Sequence, residues 1–261
     1  MQLPPSAASW VYLVSLGAPV VAAIVLALHY PRLPEVIPVH FNAAGEPDGF
    51  ADKSWATVFA LPAFALAVAG MFVVMEVVRR QAWEPQPTDG ATEQAVRVPF
   101  SESAHARAHH FLAATNRWLA WLGLTVSAGL SMLAAASLVP DYRWLFTPAL
   151  VLVLLGTVVV VVVGLFLSFR AESQAKEWFT PDEEELERDR LLSPADAQRQ
   201  VYRLGGFFYR NPADPAVIGP SYANSGNIDI NVAHPPGALF YRCVALLVGA
   251  VTILPIVMTI L

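Results

Sequence analysis

Residues 10–29 read Trp10-Val-Tyr-Leu-Val-Ser-Leu-Gly-Ala-Pro-Val-Val-Ala-Ala-Ile-Val-Leu-Ala-Leu-His29, with no Asp, Glu, Lys or Arg. As an α-helix this stretch rises about 30 Å, the thickness of a bilayer's hydrocarbon core. Positions 2–9 lack the basic n-region of a secretory signal, and Ala27-Leu-His-Tyr-Pro31 is a poor cleavage site, so a retained helix is expected. Four further apolar segments follow at 55–78, 118–138, 145–169 and 238–261. Trp10, Trp55, Trp118 and Trp144 stand at segment ends, where an amphipathic ring favours the headgroup layer. Of the 261 residues, 56% are apolar and 14% charged, whereas an average soluble domain carries about 25% charged residues. The expected fold class is an all-α integral membrane protein with about five transmembrane helices, a small ordered extracytoplasmic insert and a small cytoplasmic α/β module. The organisation read from this is a first helix pair over 1–80 with its insert at 33–54, a loop over 81–117, a second helix pair over 118–169, a cytoplasmic module over 170–237, and a last span over 238–261.

A net charge of -5 with no basic tract gives no electrostatic footprint for nucleic acid. Cys243 is the single cysteine, so there is no intramolecular disulfide. Pro19, Pro62 and Pro255 fall inside spans, where local kinks are expected because neighbouring helices can satisfy the freed carbonyls. In the third span Gly123, Ser127, Ser131 and Ala135 recur every fourth position and predict a narrow stripe that another backbone approaches closely. The fourth span, with Val158 to Val163 unbroken, is expected to face lipid over much of its surface, with Gly156 and Gly164 on the side that meets a neighbour. Arginine and lysine concentrate in the segments holding Arg79, Arg80, Arg97, Arg107 and Arg117, and Arg170 through Arg210. The positive-inside rule therefore predicts a cytoplasmic N-terminus and an outward insert.

That insert reads Leu33-Pro-Glu-Val-Ile-Pro-Val-His-Phe-Asn-Ala-Ala-Gly-Glu-Pro-Asp-Gly-Phe-Ala-Asp-Lys-Ser54. Alternation predicts a short edge strand with Ile37, Val39 and Phe41 on a buried face, and Pro38, His40 and Asn42 on the presented one. Asn42 to Gly45 and Pro47-Asp-Gly49 carry turn chemistry, and Ser54 or Asp52 is placed to cap the second helix. The bland reading has Asn42, Asp48 and Asp52 bonded to their own loop, with Lys53 snorkelling at the interface. The functional readings are a ligand or peptide site built from His40, Asn42, Glu46, Asp48 and Asp52, or a divalent metal held by His40 with Asp48, since imidazole and carboxylate suit zinc or manganese. The spacing matches no closed metal motif, and no cofactor is predicted from it.

The run P-E-V-I-P-V-H-F-N-A-A-G-E-P-D from Pro34, ending at Lys53, resembles the hallmark of a domain of unknown function best known from SdpI-type bacterial membrane proteins. The resemblance implies a bacterial inner-membrane protein with an immunity or signalling role toward a secreted peptide, and its matching positions are Pro38, His40, Asn42, Gly45, Asp48 and Lys53. A second run, Gly206-Phe-Phe-Tyr-Arg-Asn-Pro-Ala-Asp-Pro215 with Asn231 and Pro235, resembles another small uncharacterised domain of F-F-Y-x-N-P-x-D-P type. Its matching positions are Asn211, Pro212, Asp214, Pro215, Asn231 and Pro235, while Ser221-Tyr-Ala stands where that domain carries a basic pair.

Between 170 and 237, Thr180-Pro-Asp-Glu and Ser193-Pro-Ala-Asp read as helix starts, and two short strands separated by a proline-rich turn follow. His105, His109 and His110 read as an amphipathic juxtamembrane helix rather than a metal pair, and Glu76 as the partner of Arg79 and Arg80 one turn away. No G-x-S-x-G, phosphate loop or dinucleotide fingerprint occurs, so catalysis has no positive support. The function expected is binding or sensing of a ligand or peptide at the outer face, with a cytoplasmic protein partner. The alternative is a membrane enzyme or transporter using the same insert with a divalent metal.

Overall fold

A computed structural model of the chain describes residues 9–42, 46–82, 101–190, 202–203, 208–212, 214–220 and 228–260. Helix α1 (Ser9–His29) leads through a 3-10 turn into a hairpin of β1 (Val36–Phe41) and β2 (Pro47–Asp52), followed by α2 (Trp55–Ala82) and α3 (Glu102–Leu138). A second 3-10 turn (Pro140–Leu145) opens a long helical run of α4 (Phe146–Val151), a π-helical turn (Leu152–Gly156) and α5 (Thr157–Trp178). Then come α6 (Glu183–Arg190), strands β3 (Tyr202–Arg203), β4 (Phe208–Tyr209), β5 (Ile218–Pro220) and β6 (Ile228–Ile230), and α7 (Pro235–Ile260). Among the described residues, 4 helical stretches are long and apolar enough to cross a bilayer: Ser9–Arg32, Trp55–Arg80, Glu102–Leu138 and Pro140–Trp178. The fold is that of an all-α membrane protein carrying small sheets. The fifth expected span falls on α7, whose side chains from 250 onward lie outside the described residues.

Helix α3 runs 37 residues, about 55 Å, against a hydrocarbon core of about 30 Å. It begins well before the expected span at Trp118, because Ser101 caps it with an Oγ bond to the Ala104 N–H of 3.2 Å.

The chain divides into two compact units. The first comprises 7–73, 118–163 and 246–261. Its core packs Leu26, Leu33, Ile37, Val58, Ala134 and Val139 together, with Tyr30, Phe59 and Tyr142 against them. Proline at 19 removes the N–H that the Ser15 carbonyl would accept four residues earlier. The Ser127 hydroxyl of α3 donates to that carbonyl instead, so the small-residue stripe of α3 serves as a hydrogen-bond donor as well as a close-packing surface. Along the same helix, a Cβ at Gly123 would meet Phe72 Cδ2 at 2.6 Å, and one at Gly129 would meet Val153 Cγ2, inside the π turn. Gly156 lies against Thr125, as its expected role requires. Leu154, Val158 and Val162 form an exposed stripe on the fourth span, consistent with a surface toward lipid.

The second unit comprises 74–117 and 164–245 with the N-terminal residues 1–6, which lie outside the described ones. Val78, Val217 and Ile218 centre its core, with Leu112, Ile230 and Phe240 around them. Glu76 is buried and, as expected, paired: Arg79 Nε and a terminal nitrogen donate at 2.9 Å each, and Arg80 Nε at 2.7 Å. Gly164 is buried on α5. The start of α6 is capped by Asp182 rather than Thr180: the Asp182 carboxylate accepts the Glu185 N–H at 2.8 Å, while Thr180 Oγ1 turns back to the Glu177 carbonyl at 3.2 Å. Glu185 also accepts the Ser103 N–H at 3.2 Å, and Arg107 donates to the Phe179 carbonyl at 2.8 Å. The second expected helix start, at Ser193, lies outside the described residues.

Replacing Ser127 with Ala leaves the Ser15 carbonyl without its donor and is expected to lower stability by about 1 kcal/mol. Adding Pro19→Ala restores the intrahelical N–H, so the double variant recovers most of that loss; unfolding in bicelles followed by circular dichroism measures both.

Candidate functional site

The hairpin is anchored from below. Ile37 is buried among Leu26, Val58, Ala134 and Val139, and Phe41 packs its ring 5.2 Å from that of Phe146. The Lys53 N–H donates to the Glu35 carbonyl at 2.7 Å, closing the open end of the hairpin. Its ammonium donates to the Leu33 carbonyl at 3.0 Å and to the Glu35 carboxylate at 2.8 Å. The Lys53 side chain is only 11% exposed and lies 5.6 Å from the centre of the Tyr30 ring. Instead of snorkelling, it fastens the neck of the insert. Ser54 caps α2 as expected, accepting the Thr57 N–H at 3.1 Å while Thr57 Oγ1 accepts the Ser54 N–H at 2.9 Å.

Register explains the presented side. Pro38 faces Phe50 across the ladder, His40 faces Gly49, and Phe41 faces Pro47. Val39 on β1 and Asp48 on β2 are thereby left as the unpaired residues of two irregularities. The expected alternation therefore breaks after Ile37: Val39 is exposed, not buried. Pro47-Asp-Gly49, expected as a turn, is instead the first half of β2. A Cβ at Gly49 would lie 2.7 Å from the Cβ of His40, so glycine is required there for close approach, not for turning.

The bulged Asp48 reaches His40 directly, with Oδ1 2.5 Å from Nδ1. The two side chains are 45% and 72% exposed, so the pair is offered to solvent. Asn42 and Glu46 form a second pair: the Glu46 N–H donates to Asn42 Oδ1 at 3.0 Å, the Asn42 N–H to the Glu46 carbonyl at 2.9 Å, and Asn42 Nδ2 to Glu46 Oε2 at 3.3 Å. Asp52 stands apart, opposite Val36 at the other end of the hairpin, and its carbonyl accepts Thr57 Oγ1 at 3.0 Å. Of the five candidate residues, four thus group as two pairs around the distal half and Asp52 does not join them. Phe50, an aromatic neighbour of the candidate residues, is exposed and flanked in β2 by Asp48 and Asp52, on the same solvent-facing surface; its alternation with the two acids is the signal that marks it. Gly45 lies outside the described residues. Among the described residues no three His, Cys, Asp or Glu side chains converge as a metal site.

The F-F-Y-x-N-P-x-D-P residues occupy a different setting, in the second unit. Four short strands form two hairpins there, β3 with β4 and β5 with β6, in place of the two strands expected. Asn231 is fully buried. Its amide nitrogen donates to the carbonyls of Asn211 at 2.7 Å, Asp214 at 3.3 Å and Ala216 at 3.4 Å, and its oxygen accepts the N–H groups of Asn211 at 3.0 Å and Ala233 at 3.1 Å. Asp214 accepts the Tyr209 hydroxyl at 2.7 Å and the Ala216 N–H at 2.8 Å. Because a carbonyl only accepts, the 2.6 Å contact between His234 Nε2 and the Asp214 carbonyl assigns the ring proton to Nε2. Gly237 allows the closure, since a Cβ there would run into the Asn231 carbonyl oxygen. Pro235 opens α7, where its missing N–H costs nothing. Pro212 is exposed and Pro215 half-buried in the loop between. These residues hold a loop shut around a saturated polar centre, a structural role. On α3 of this unit, His105 lies against Gly219, and the His110 ring stands 5.1 Å from that of Trp178.

Burial raises the Asp214 carboxyl above the usual aspartate range, against the opposing Tyr209 and Ala216 hydrogen bonds. An acid raised in the folded state binds its proton more tightly there than when unfolded. Its contribution is therefore present at low pH and is lost as pH climbs from about 3.8 through the raised value. Asp214→Asn is expected to flatten that part of the stability profile, read as the difference between variant and parent melting temperatures across pH. Asn231→Ala leaves several buried backbone groups unpaired and is expected to cost about 2–4 kcal/mol, with loss of amide protection in hydrogen exchange over 208–217.

No curated protein and no solved structure matches the chain. Residues 20–66, from the second half of α1 through the hairpin and into the first half of α2, match the family described as a domain of unknown function (DUF1648).

Proposed function

We propose that the protein is a bacterial inner-membrane receptor that recognises a ligand or secreted peptide at its outer face through the β1–β2 hairpin, in an immunity or signalling role of the SdpI type. The observation that carries this reading is the exposed His40–Asp48 pair, 2.5 Å apart, on a hairpin that Ile37 anchors in the helix core. A rigidly held polar pair beside an exposed aromatic is the composition of a recognition surface: the anchor removes ordering cost, and Phe50 supplies contact area. The hairpin's acids, Glu46, Asp48 and Asp52, give it an electronegative surface suited to a cationic ligand. The basic segments after α2 and α5 support a cytoplasmic N-terminus and an outward hairpin. In this reading a cytoplasmic protein partner receives the signal from the 170–237 module.

Two measurements test it. A reporter inserted at Gly45 is expected to be active outside the cytoplasm, and cytoplasmic activity overturns the orientation. A photoreactive residue at Phe50 in living cells is expected to capture a secreted peptide or small ligand, with at least tenfold less capture in His40→Ala. Capture that His40→Ala leaves unchanged removes the pair from the proposal, and a bound divalent metal lost in the same variant replaces recognition by the enzyme or transporter reading.

A further inference from the structure

A groove of about 490 Å³ lies between α1 and α2, lined on α1 by Pro19, Val20, Ala23, Ile24 and Ala27 and on α2 by Trp55, Phe59, Pro62, Ala63 and Leu66. Pro19 and Pro62 are buried and form its floor, whereas Val20, Ile24, Trp55 and Leu66 are exposed and form its rims. Both walls belong to segments long and apolar enough to cross the bilayer, so the groove opens on hydrocarbon rather than water.

Its length decides the occupant. From Trp55 to Leu66 the α2 wall rises about 16 Å, and from Ala27 to Pro19 the α1 wall rises about 12 Å. The hydrocarbon core is about 30 Å thick. The groove therefore extends through one leaflet and ends near the middle of the bilayer. A helix from a second copy packed lengthwise needs a seat along most of a span, and this groove stops at about half of one. An acyl chain has the depth of one leaflet and needs no hydrogen bonds.

The mouth adds the polar end. Tyr30 stacks on Trp55 with ring centres 4.5 Å apart, and Trp55 on Phe59 at 5.1 Å. This aromatic ladder joins the groove to the headgroup level, where tryptophan and tyrosine favour the interface. Arg32 is exposed at the end of the 3-10 turn that begins with Tyr30, a cation suited to a lipid phosphate.

We propose that the α1–α2 groove is a seat for one glycerophospholipid of the leaflet on the hairpin side, its acyl chain lying on the Pro19–Pro62 floor and its phosphate at Arg32. The hairpin neck then rests on a bound lipid, and this holds whether or not the hairpin recognises a peptide.

The test uses the full chain purified in mild detergent and examined by native mass spectrometry. About one phospholipid per chain is expected to survive washing, with at least tenfold lower occupancy in Ala63→Trp, which fills the groove from its exposed side, and no change in Val159→Trp on the fourth span. Equal retention in Ala63→Trp, retention of free fatty acid alone, or no retained lipid in the parent overturns the proposal. A phospholipid with a diazirine midway along its acyl chain supplies a readout independent of either variant's folding. Labelling of 19–27 and 55–66 is expected to exceed that of 154–166 several-fold; equal labelling, or crosslinking of two copies through the groove, overturns it.

Discussion

Hydrocarbon supplies no hydrogen bonds, and two local arrangements in the spanning helices answer that fact. A backbone carbonyl released by a proline must find a donor inside the protein, and the Ser127 hydroxyl provides one to Ser15. Glu76 is tolerated because two guanidinium groups reach it within one helical turn. The small residues of α3 serve the same constraint, since only a close approach of backbones brings a side-chain donor within reach of a neighbouring carbonyl.

The hairpin meets the opposite requirement. It is short and two-stranded, a form that is marginal alone in water, and it is fixed from outside its own ladder. Ile37 is its apolar anchor and Lys53 its polar one, the latter bonded to the Leu33 carbonyl and to Glu35. With the neck secured at both kinds of contact, the bulged residues Val39 and Asp48 are free to depart from regular pairing. This departure brings a carboxylate to His40. Regular alternation would have placed Asp48 in register instead.

The spans were legible because lipid imposes one rule on many consecutive residues, as in residues 10–29 and the valines at 158–163. Ile37 was legible for the same kind of reason, as an apolar residue in an alternating strand. Where a single contact overrides local preference, the reading failed. Pro47-Asp-Gly49 has the chemistry of a turn, yet Gly49 serves the passage of the His40 side chain, a contact between strands that no local pattern encodes. Likewise Thr180 and Asp182 are both good caps, and the choice falls to Asp182 because Glu185 reciprocates. The π turn at Leu152–Gly156 left no mark in a uniformly apolar run. For Asn211, Asp214 and Asn231, family resemblance marked the positions, but their mutual bonding depends on contacts up to 20 residues apart in sequence.

The Asn231 centre also bears on biosynthesis. The chain leaves the ribosome from its N-terminus, and Asn211, Asp214 and Ala216 all precede the side chain that completes their bonding. Until residue 231 has been made, the loop has its acceptors and donors but not the amide that joins them. Closure is therefore a late step of synthesis, coming after the first four membrane-crossing stretches have been translated. A chain interrupted before that point carries the first four of those stretches but an open loop, a physical difference between a finished molecule and a truncated one.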